Sequence, residues 1–223
     1  MTNPPSTTAP KANSATWVGL FIALFGLLIV RWATALVWPG YGFTATICKE
    51  ISIWLCVVAL FVVIRRGEAM PLTSIGLGTS PVGKSILSGI VLAVVCMIVG
   101  GVIASLTHFK GGELGAALFK LPLWLVILVV VRAGLVEELF YRGYAIERLQ
   151  LLGLNRYLAG VIPLLIFGFA HVTNGWANVA IALALGVILT AFYLWRRDLV
   201  ANIIGHFLVD FISIVLPRLL VHS

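Results

Sequence analysis

Long runs of apolar residues, separated by short polar loops, dominate the chain from residue 16 to its end. Each run approaches the ~20 residues that an α-helix needs to cross the hydrocarbon core of a bilayer. The pattern predicts an all-α fold, a polytopic transmembrane helical bundle with about seven spans. The predicted spans are Thr16–Trp38, Thr44–Ile64, Lys84–Leu106, Leu121–Tyr141, Arg156–Val172, Trp176–Trp195 and Leu199–Leu219.

The polar and Pro-containing stretches outside these runs predict the domain organisation. Residues 1–15 are rich in Pro, Thr, Ser and Ala and carry one charge, Lys11, so we interpret them as a disordered tail. Residues 16–223 show no internal repeat and are interpreted as a single transmembrane domain. The segment Met70–Gly83 contains Pro and Gly and is predicted to be a connecting loop with at most a short interfacial helix.

Composition agrees with a membrane location. Of the 223 residues, 61% are hydrophobic and 10% are charged, whereas soluble domains carry about 25% charged residues. The formal net charge is +7, but the basic residues lie in short loops between apolar runs, so we exclude nucleic acid as a partner. Cys48, Cys56 and Cys96 lie in or beside apolar runs without metal-ligand spacing and are interpreted as packing residues.

The distribution of basic residues predicts the orientation. If the spans alternate, nine basic residues fall on one side and four on the other. The nine are Lys11, Arg65, Arg66, Lys84, Arg142, Arg148, Arg156, Arg196 and Arg197; the four are Lys49, Lys110, Lys120 and Arg218. The positive-inside rule then predicts a multi-pass protein of the cell inner membrane with a cytoplasmic N-terminus and an external C-terminus. Arg31 and Arg132 fall inside spans, where we interpret them as side chains that snorkel toward an interface.

Two adjacent carboxylates, Glu137 and Glu138, close the fourth apolar run. An unpaired charge near the centre of a spanning helix costs roughly 2.5–3.5 kcal/mol, so such residues usually mark a functional site. On a helix Glu138 lies one turn from Arg142 and can form an ion pair with it. Glu137 points about 100° away from Glu138. It is left to face another group, which makes it a candidate general base.

Two further polar positions interrupt the later runs. His171 lies late in the fifth predicted span, and His206 and Asp210 lie in the seventh. The i, i+4 spacing of His206 and Asp210 places an imidazole and a carboxylate on one helix face. Ionisable residues on three separate spans are difficult to explain as packing. We therefore predict that Glu137, His171 and His206 converge in one water-accessible cavity.

These residues form three motifs that resemble those of a known family. The motifs are Glu137-Glu138-x-x-x-Arg142, Phe167-x-x-x-His171 and His206-x-x-x-Asp210, in that order. They resemble the motifs of the CPBP (Abi) family of intramembrane proteases, which includes the type II CAAX prenyl endopeptidases. The resemblance covers about the last hundred residues. It implies that Glu137 and His171 activate water and that His206 and Asp210 stabilise the oxyanion.

One residue departs from the family pattern, because the last motif position is often Asn and here it is Asp210. An ionised Asp has no hydrogen to donate. Asp210 must therefore be protonated, orient His206 or bind a metal.

The chemistry of amide hydrolysis fits the same residues. It requires a base for water, donors for the oxyanion and an acid for the leaving amine. Glu137 can act as the base for water, and His206 can donate to the oxyanion. His171 can share the water with Glu137 and pass the proton to the leaving nitrogen. We favour this mechanism without a cofactor. A divalent metal such as zinc, held by Glu137, His171, His206 and Asp210, is the alternative.

A non-enzymatic role is the competing class. A proton-coupled carrier would use buried Glu and His residues as a relay, and a membrane scaffold would need no chemistry at all. The chain lacks the paired broken helices of an inverted repeat, which argues against a carrier. The expected partners are the lipid bilayer and a membrane-associated peptide or protein substrate. A prenylated C-terminal peptide, a pheromone or bacteriocin precursor and a sorting signal all fit.

Helix depth adds one expectation. At ~1.5 Å per residue, Glu137 and His171 lie at different depths if the fourth span ends at Tyr141. They can meet if the fourth span continues past Tyr141, or if the fifth span tilts or starts deep in the bilayer. We expect the first, with the helix continuing toward Leu151.

Overall fold

The computed structural model describes residues 11–221, which form helices and loops and no strand. We number eight helices. They are α1 (Ser14–Val37), α2 (Phe43–Gly67), α3 (Val82–Leu106), α4 (Gly112–Leu118), α5 (residues 123–151), α6 (Arg156–Phe169), α7 (Trp176–Arg196) and α8 (residues 199–221). Two short 3-10 segments, Leu72–Ile75 and Val172–Asn174, lie in the connections.

The expected fold class, a polytopic helical bundle, is confirmed. Six of the described helices are long and apolar enough to cross a membrane: α1, α2, α3, α6 with the 3-10 turn that follows it, α7 and α8. The remaining predicted span corresponds to α5, which carries Arg132, Glu137 and Glu138 within its length. This helix does not end at Tyr141 but continues to Leu151, as the depth argument required.

Helix α5 changes its hydrogen-bonding pattern along its length. It is α-helical over Leu123–Arg132, π-helical over Ala133–Ile146 and α-helical again over Glu147–Leu151. A π-helix bonds residue i to residue i+5, is rare, and is frequently found at functional sites. Both glutamates of the first motif lie in the π-helical part. Residues five apart therefore come close together there, in addition to those four apart.

Polar side chains cap three of the helices at their N-termini. Asn13 accepts a hydrogen bond from the backbone N–H of Thr16 at the start of α1, Asn155 caps α6, and Asp198 caps α8. Such caps satisfy backbone donors that the helix itself leaves unpaired. Because α1 begins at Ser14, the last two residues of the predicted tail are helical. Residues 1–10 lie outside the described part of the chain.

Close contact between α5 and α8 brings the first and third motifs together. The backbone of Phe207 on α8 approaches Gly134 so closely that a Cβ atom on Gly134 would lie 2.9 Å from the Phe207 Cα. Only a residue without a side chain fits at this crossing. Since Gly134 lies one turn before Glu138 and Phe207 follows His206, the crossing places those two side chains within reach of each other.

Ion pairs fix the far end of α5. Arg148 contacts Glu68 at 2.8 Å, and it also donates to the carbonyl oxygen and the hydroxyl of Ser74. Glu147 pairs with Arg197 after α7 at 2.7 Å. The connection between α2 and α3, predicted as a loop with a short helix, is therefore bound to the end of the helix that carries the first motif.

Candidate active site

Glu138 is the buried centre of the polar cluster, with 0% of its side chain exposed. Its Oε1 accepts from Arg142 at 2.7 Å and lies 2.8 Å from Nδ1 of His206. Its Oε2 accepts from the amide nitrogen of Asn202 at 3.1 Å. The predicted Glu138–Arg142 pair is present, and the two further partners come from α8. This carboxylate therefore connects the first motif to the third.

Arg142 is enclosed by three helices. Its guanidinium approaches Thr190 and the carbonyl oxygen of Gly186 on α7, and it lies 4.5 Å from the ring centroid of Phe167 on α6. The charge distribution had assigned Arg142 to a loop at the membrane surface, and that assignment is wrong. Its side chain is 1% exposed, because the ion pair with Glu138 and the aromatic ring replace water as its partners.

Glu137 faces a different partner, Arg132. Nη1 of Arg132 lies 3.2 Å from Oε1 of Glu137, and the rest of the guanidinium contacts Glu50 on α2. The interpretation of Arg132 as a snorkelling residue is wrong, since its side chain is 9% exposed and its charge is paired within the bundle. Glu137 retains 15% exposure, so it is the more accessible of the two glutamates.

His171 lies just beyond the end of α6, before the 3-10 turn Val172–Asn174. Its Nδ1 is 2.8 Å from the carbonyl oxygen of Phe167. A carbonyl oxygen accepts and cannot donate, so Nδ1 carries the hydrogen in this contact. In the neutral ring, Nε2 therefore carries the free lone pair. This nitrogen can accept a proton from water.

His206 lies between two carboxylates. Its Nδ1 faces Glu138, and its Nε2 lies 3.6 Å from Oδ2 of Asp210, one turn further along α8. The same carboxylate accepts from Arg142 and Asn202, and Nδ1 of His206 is within hydrogen-bond distance of its Oε1. Asp210 also interacts electrostatically with Glu137, His171 and Arg132. The third motif is therefore close to the other two, although its residues do not contact Glu137 directly.

A cavity of about 460 Å³ opens beside these residues, a size typical of ligand sites. Its lining includes Glu137 and His171, together with three basic side chains, Arg31, Lys49 and Arg132. Arg31 donates from Nη1 to the carbonyl oxygen of Ala170 at 2.9 Å. The Arg31 side chain is half-buried, and this contact lies at the C-terminal end of α6.

His206 and Asp210 are not among the residues that line this cavity. Phe167 lines the cavity instead, and its ring centroid is 6.2 Å from that of His206 and 4.8 Å from that of His171. The ring contacts both histidines because Phe167 is one helical turn before His171 and faces α8. Phe167 therefore connects His171, in the cavity lining, with His206 on α8.

The arrangement does not fit the alternative metal site. Within the described residues, no group of three or more His, Cys, Asp or Glu side chains is arranged to hold a metal ion. The reason is local: Glu137 contacts Arg132, and His206 faces Glu138 with one nitrogen and Asp210 with the other. We therefore derive no step through a metal.

Sequence reasoning missed three residues that support the cluster. They are Asn202, Thr190 and Glu50. Asn202 is completely buried and donates to Glu138 and to the carbonyl oxygen of Leu189. Its position four residues before His206 was a usable signal, because Asn202, His206 and Asp210 share one face of α8. Glu50 also gave a signal, because it is a charged residue inside the second predicted span, but its partner Arg132 lies 82 positions away in sequence and could not be assigned.

The comparison with protein families agrees with the motif resemblance. The model for the family Rce1-like, described as type II CAAX prenyl endopeptidase Rce1-like, matches residues 119–212. This range contains all three motifs and leaves α1, α2 and α3 outside. No curated protein and no solved structure matches the chain. The similarity to this family therefore covers the polar cluster, whereas Arg31, Lys49 and Glu50 belong to the part of the chain that the family model does not match.

Proposed function

We propose that this chain, with residues 119–212 similar to the Rce1-like family, is an intramembrane endopeptidase. Its substrate is a membrane-associated peptide or protein of the CAAX type or a related class. One observation carries the proposal: Glu137 and His171, supplied by different helices, line the same cavity inside a membrane-spanning bundle. A carboxylate and an imidazole that line the same cavity are groups that the hydrolysis of an amide requires.

Glu137 acts as the general base in this mechanism. Arg132 contacts its Oε1, so Oε2 is the oxygen available to a water molecule in the cavity. The free Nε2 of His171 accepts a hydrogen bond from the same water and fixes its orientation. As the water attacks the peptide carbonyl, its proton passes to Glu137. The protonated carboxyl, or His171 after it receives the proton, then protonates the leaving nitrogen.

His206 supplies the electrostatic stabilisation of the oxyanion. Glu138 on one side and Asp210 on the other favour the imidazolium form, whose Nε2–H donates. Preorganised donors of this kind commonly contribute 10²–10³-fold to the rate.

Substrate accumulation in membranes tests the proposal. Cells that carry Glu137→Gln in place of the wild-type chain should accumulate an uncleaved membrane peptide or protein, detected by quantitative proteomics of N- and C-terminal peptides. The matched control is Glu113→Gln, because Glu113 also lines the cavity but is exposed and lies on α4. Identical terminal peptides in the wild type and Glu137→Gln would contradict the proposal and favour the carrier or scaffold.

A further inference from the structure

The geometry points to Glu50 and Arg132 as positioning residues that hold the proposed base Glu137 in its working orientation. Glu50 belongs to α2, outside the region that matches the family, and Arg132 and Glu137 belong to α5. The inference rests on the proposed function, because it gives these two residues a role in the same reaction. Neither residue contacts the substrate in this account.

The contact between Glu50 and Arg132 is extensive and buried. Nε of Arg132 lies 3.2 Å from Oε1 and 3.1 Å from Oε2 of Glu50, and Nη2 lies 3.1 Å from Oε1. The side chains are 2% and 9% exposed. Planar guanidinium–carboxylate pairs of this kind fix orientation as well as supplying attraction. Glu50 therefore sets the plane and direction of the Arg132 guanidinium.

The one nitrogen of Arg132 that faces away from Glu50 contacts the proposed base. Nη1 lies 3.2 Å from Oε1 of Glu137. This contact joins residues five apart, which the π-helical part of α5 brings together. Because Nε and Nη2 are occupied by Glu50, Arg132 binds a single oxygen of Glu137. The other oxygen stays available for water.

Loss of Glu50 would change how Arg132 binds Glu137. Nε and Nη2 of Arg132 would lose their acceptors, and Glu137 would become the acidic group closest to the guanidinium. Arg132 would then turn toward Glu137 and engage both of its oxygens. A carboxylate held in that way is a weaker base and has no oxygen free for water, so the rate of the chemical step should fall.

The test compares Glu50→Gln with the double variant Glu50→Gln/Arg132→Gln. Cleavage of a fluorescence-quenched CAAX-type peptide by the protein in lipid vesicles gives kcat and KM, and thermal unfolding gives stability. Glu50→Gln leaves a buried cation without its main partner, so it should lower Tm and reduce kcat about 10–100-fold, a loss typical of a catalytic group misplaced by an ångström. KM should stay unchanged.

The double variant separates positioning from stability. It removes both buried charges, so Tm should recover toward the wild-type value. In the positioning account kcat stays low, because Glu137 has lost the contact that orients it. Recovery of kcat together with Tm would overturn the inference and leave Glu50 and Arg132 as structural residues only. Glu50→Asp, which keeps the carboxylate, should regain part of the lost kcat.

A second readout needs no substrate and so distinguishes failure of this inference from failure of the proposed function. Carbodiimide labels carboxyl groups in their protonated form, and peptide mass spectrometry measures the labelled fraction of Glu137. Labelling should fall in Glu50→Gln, where Arg132 binds Glu137 more tightly, and rise in the double variant, where Arg132 is absent. Exposed Glu113 is the internal control. Equal labelling of Glu137 in all three proteins would overturn the inference.

Discussion

At the scale of single residues, Phe167 connects all three polar motifs. Its ring lies 4.5 Å from the guanidinium of Arg142, 4.8 Å from the ring of His171 and 6.2 Å from the ring of His206. Its backbone carbonyl also fixes the tautomer of His171. An aromatic ring supplies a flat, apolar face that stabilises a cation without competing for protons. Phe167, an apolar residue, thus packs against Arg142, His171 and His206.

Asp210→Asn tests the metal-free mechanism at this scale. If Asp210 acts by its effect on His206 or as a neutral donor, the variant should keep substantial activity, because the amide preserves shape and supplies a donor. The wild type should also resist chelators. The measurement is cleavage by the purified variant, with bound metal quantified in both proteins. Loss of activity by about 10–100-fold together with a stoichiometric metal would instead assign Asp210 as a ligand.

Contacts between side chains one helical turn apart could be predicted from the sequence, whereas the polar contacts between different helices could not. The Glu138–Arg142 pair follows from i, i+4 spacing. The contact of Glu138 with His206 required knowing which faces of α5 and α8 meet, and that depends on the fit at Gly134. The contact of Glu50 with Arg132 spans 82 positions in sequence, which spacing alone does not encode.

At the scale of elements, the π-helical part of α5 explains why the partner of Glu137 was not predicted. On an α-helix, residues 132 and 137 would point about 140° apart, so the sequence gives no reason to pair Arg132 with Glu137. The π-helical pattern over Ala133–Ile146 brings residues five apart together. The span itself and its continuation to Leu151 were predictable, because the apolar run and the depth of its charged residues required them.

Gly134→Ala tests whether the α5–α8 crossing holds the motifs in register. A Cβ atom there meets the backbone of Phe207 at 2.9 Å, so α8 must move and stability should fall by about 1–3 kcal/mol. Cleavage activity should also fall, and by more than the loss of folded protein explains, since the shift separates Glu138 from His206. Gly101→Ala on α3 is the matched control, with no atom within 4 Å of its added Cβ. Equal behaviour of the two variants in thermal unfolding and cleavage would refute this role.

At the scale of the whole molecule, the candidate active site belongs to one end of the bundle. The cavity is lined by residues that follow α1, by Glu113 on α4 and by Asn174 after α6. The N-terminus of α1 and the ion pairs of Arg148 and Arg197 lie at the opposite end. If the N-terminus is cytoplasmic, as the basic residues indicate, the cavity opens toward the outside of the cell membrane.

Labelling of single cysteines tests this orientation. Glu113→Cys and Lys84→Cys place exposed thiols at opposite ends of the bundle, in a protein whose Cys48, Cys56 and Cys96 are replaced by alanine. A membrane-impermeant maleimide applied to intact cells should label residue 113 and spare residue 84. Detergent-solubilised protein, in which both should react, is the control. Labelling of residue 84 alone would reverse the orientation and place the cavity on the cytoplasmic side.

The central claim is that Glu137 and His171 activate one water together, and a double-mutant cycle tests it most directly. The kcat/KM for cleavage of the quenched peptide is measured for Glu137→Gln, His171→Gln and the double variant. Each single change should cost about 10²–10⁴-fold, the usual contribution of a general acid–base group. Because residues that act as a unit are strongly non-additive, the double variant should be scarcely slower than the slower single one. Fully additive losses, or a Glu137→Gln protein with wild-type kcat/KM, would contradict the account.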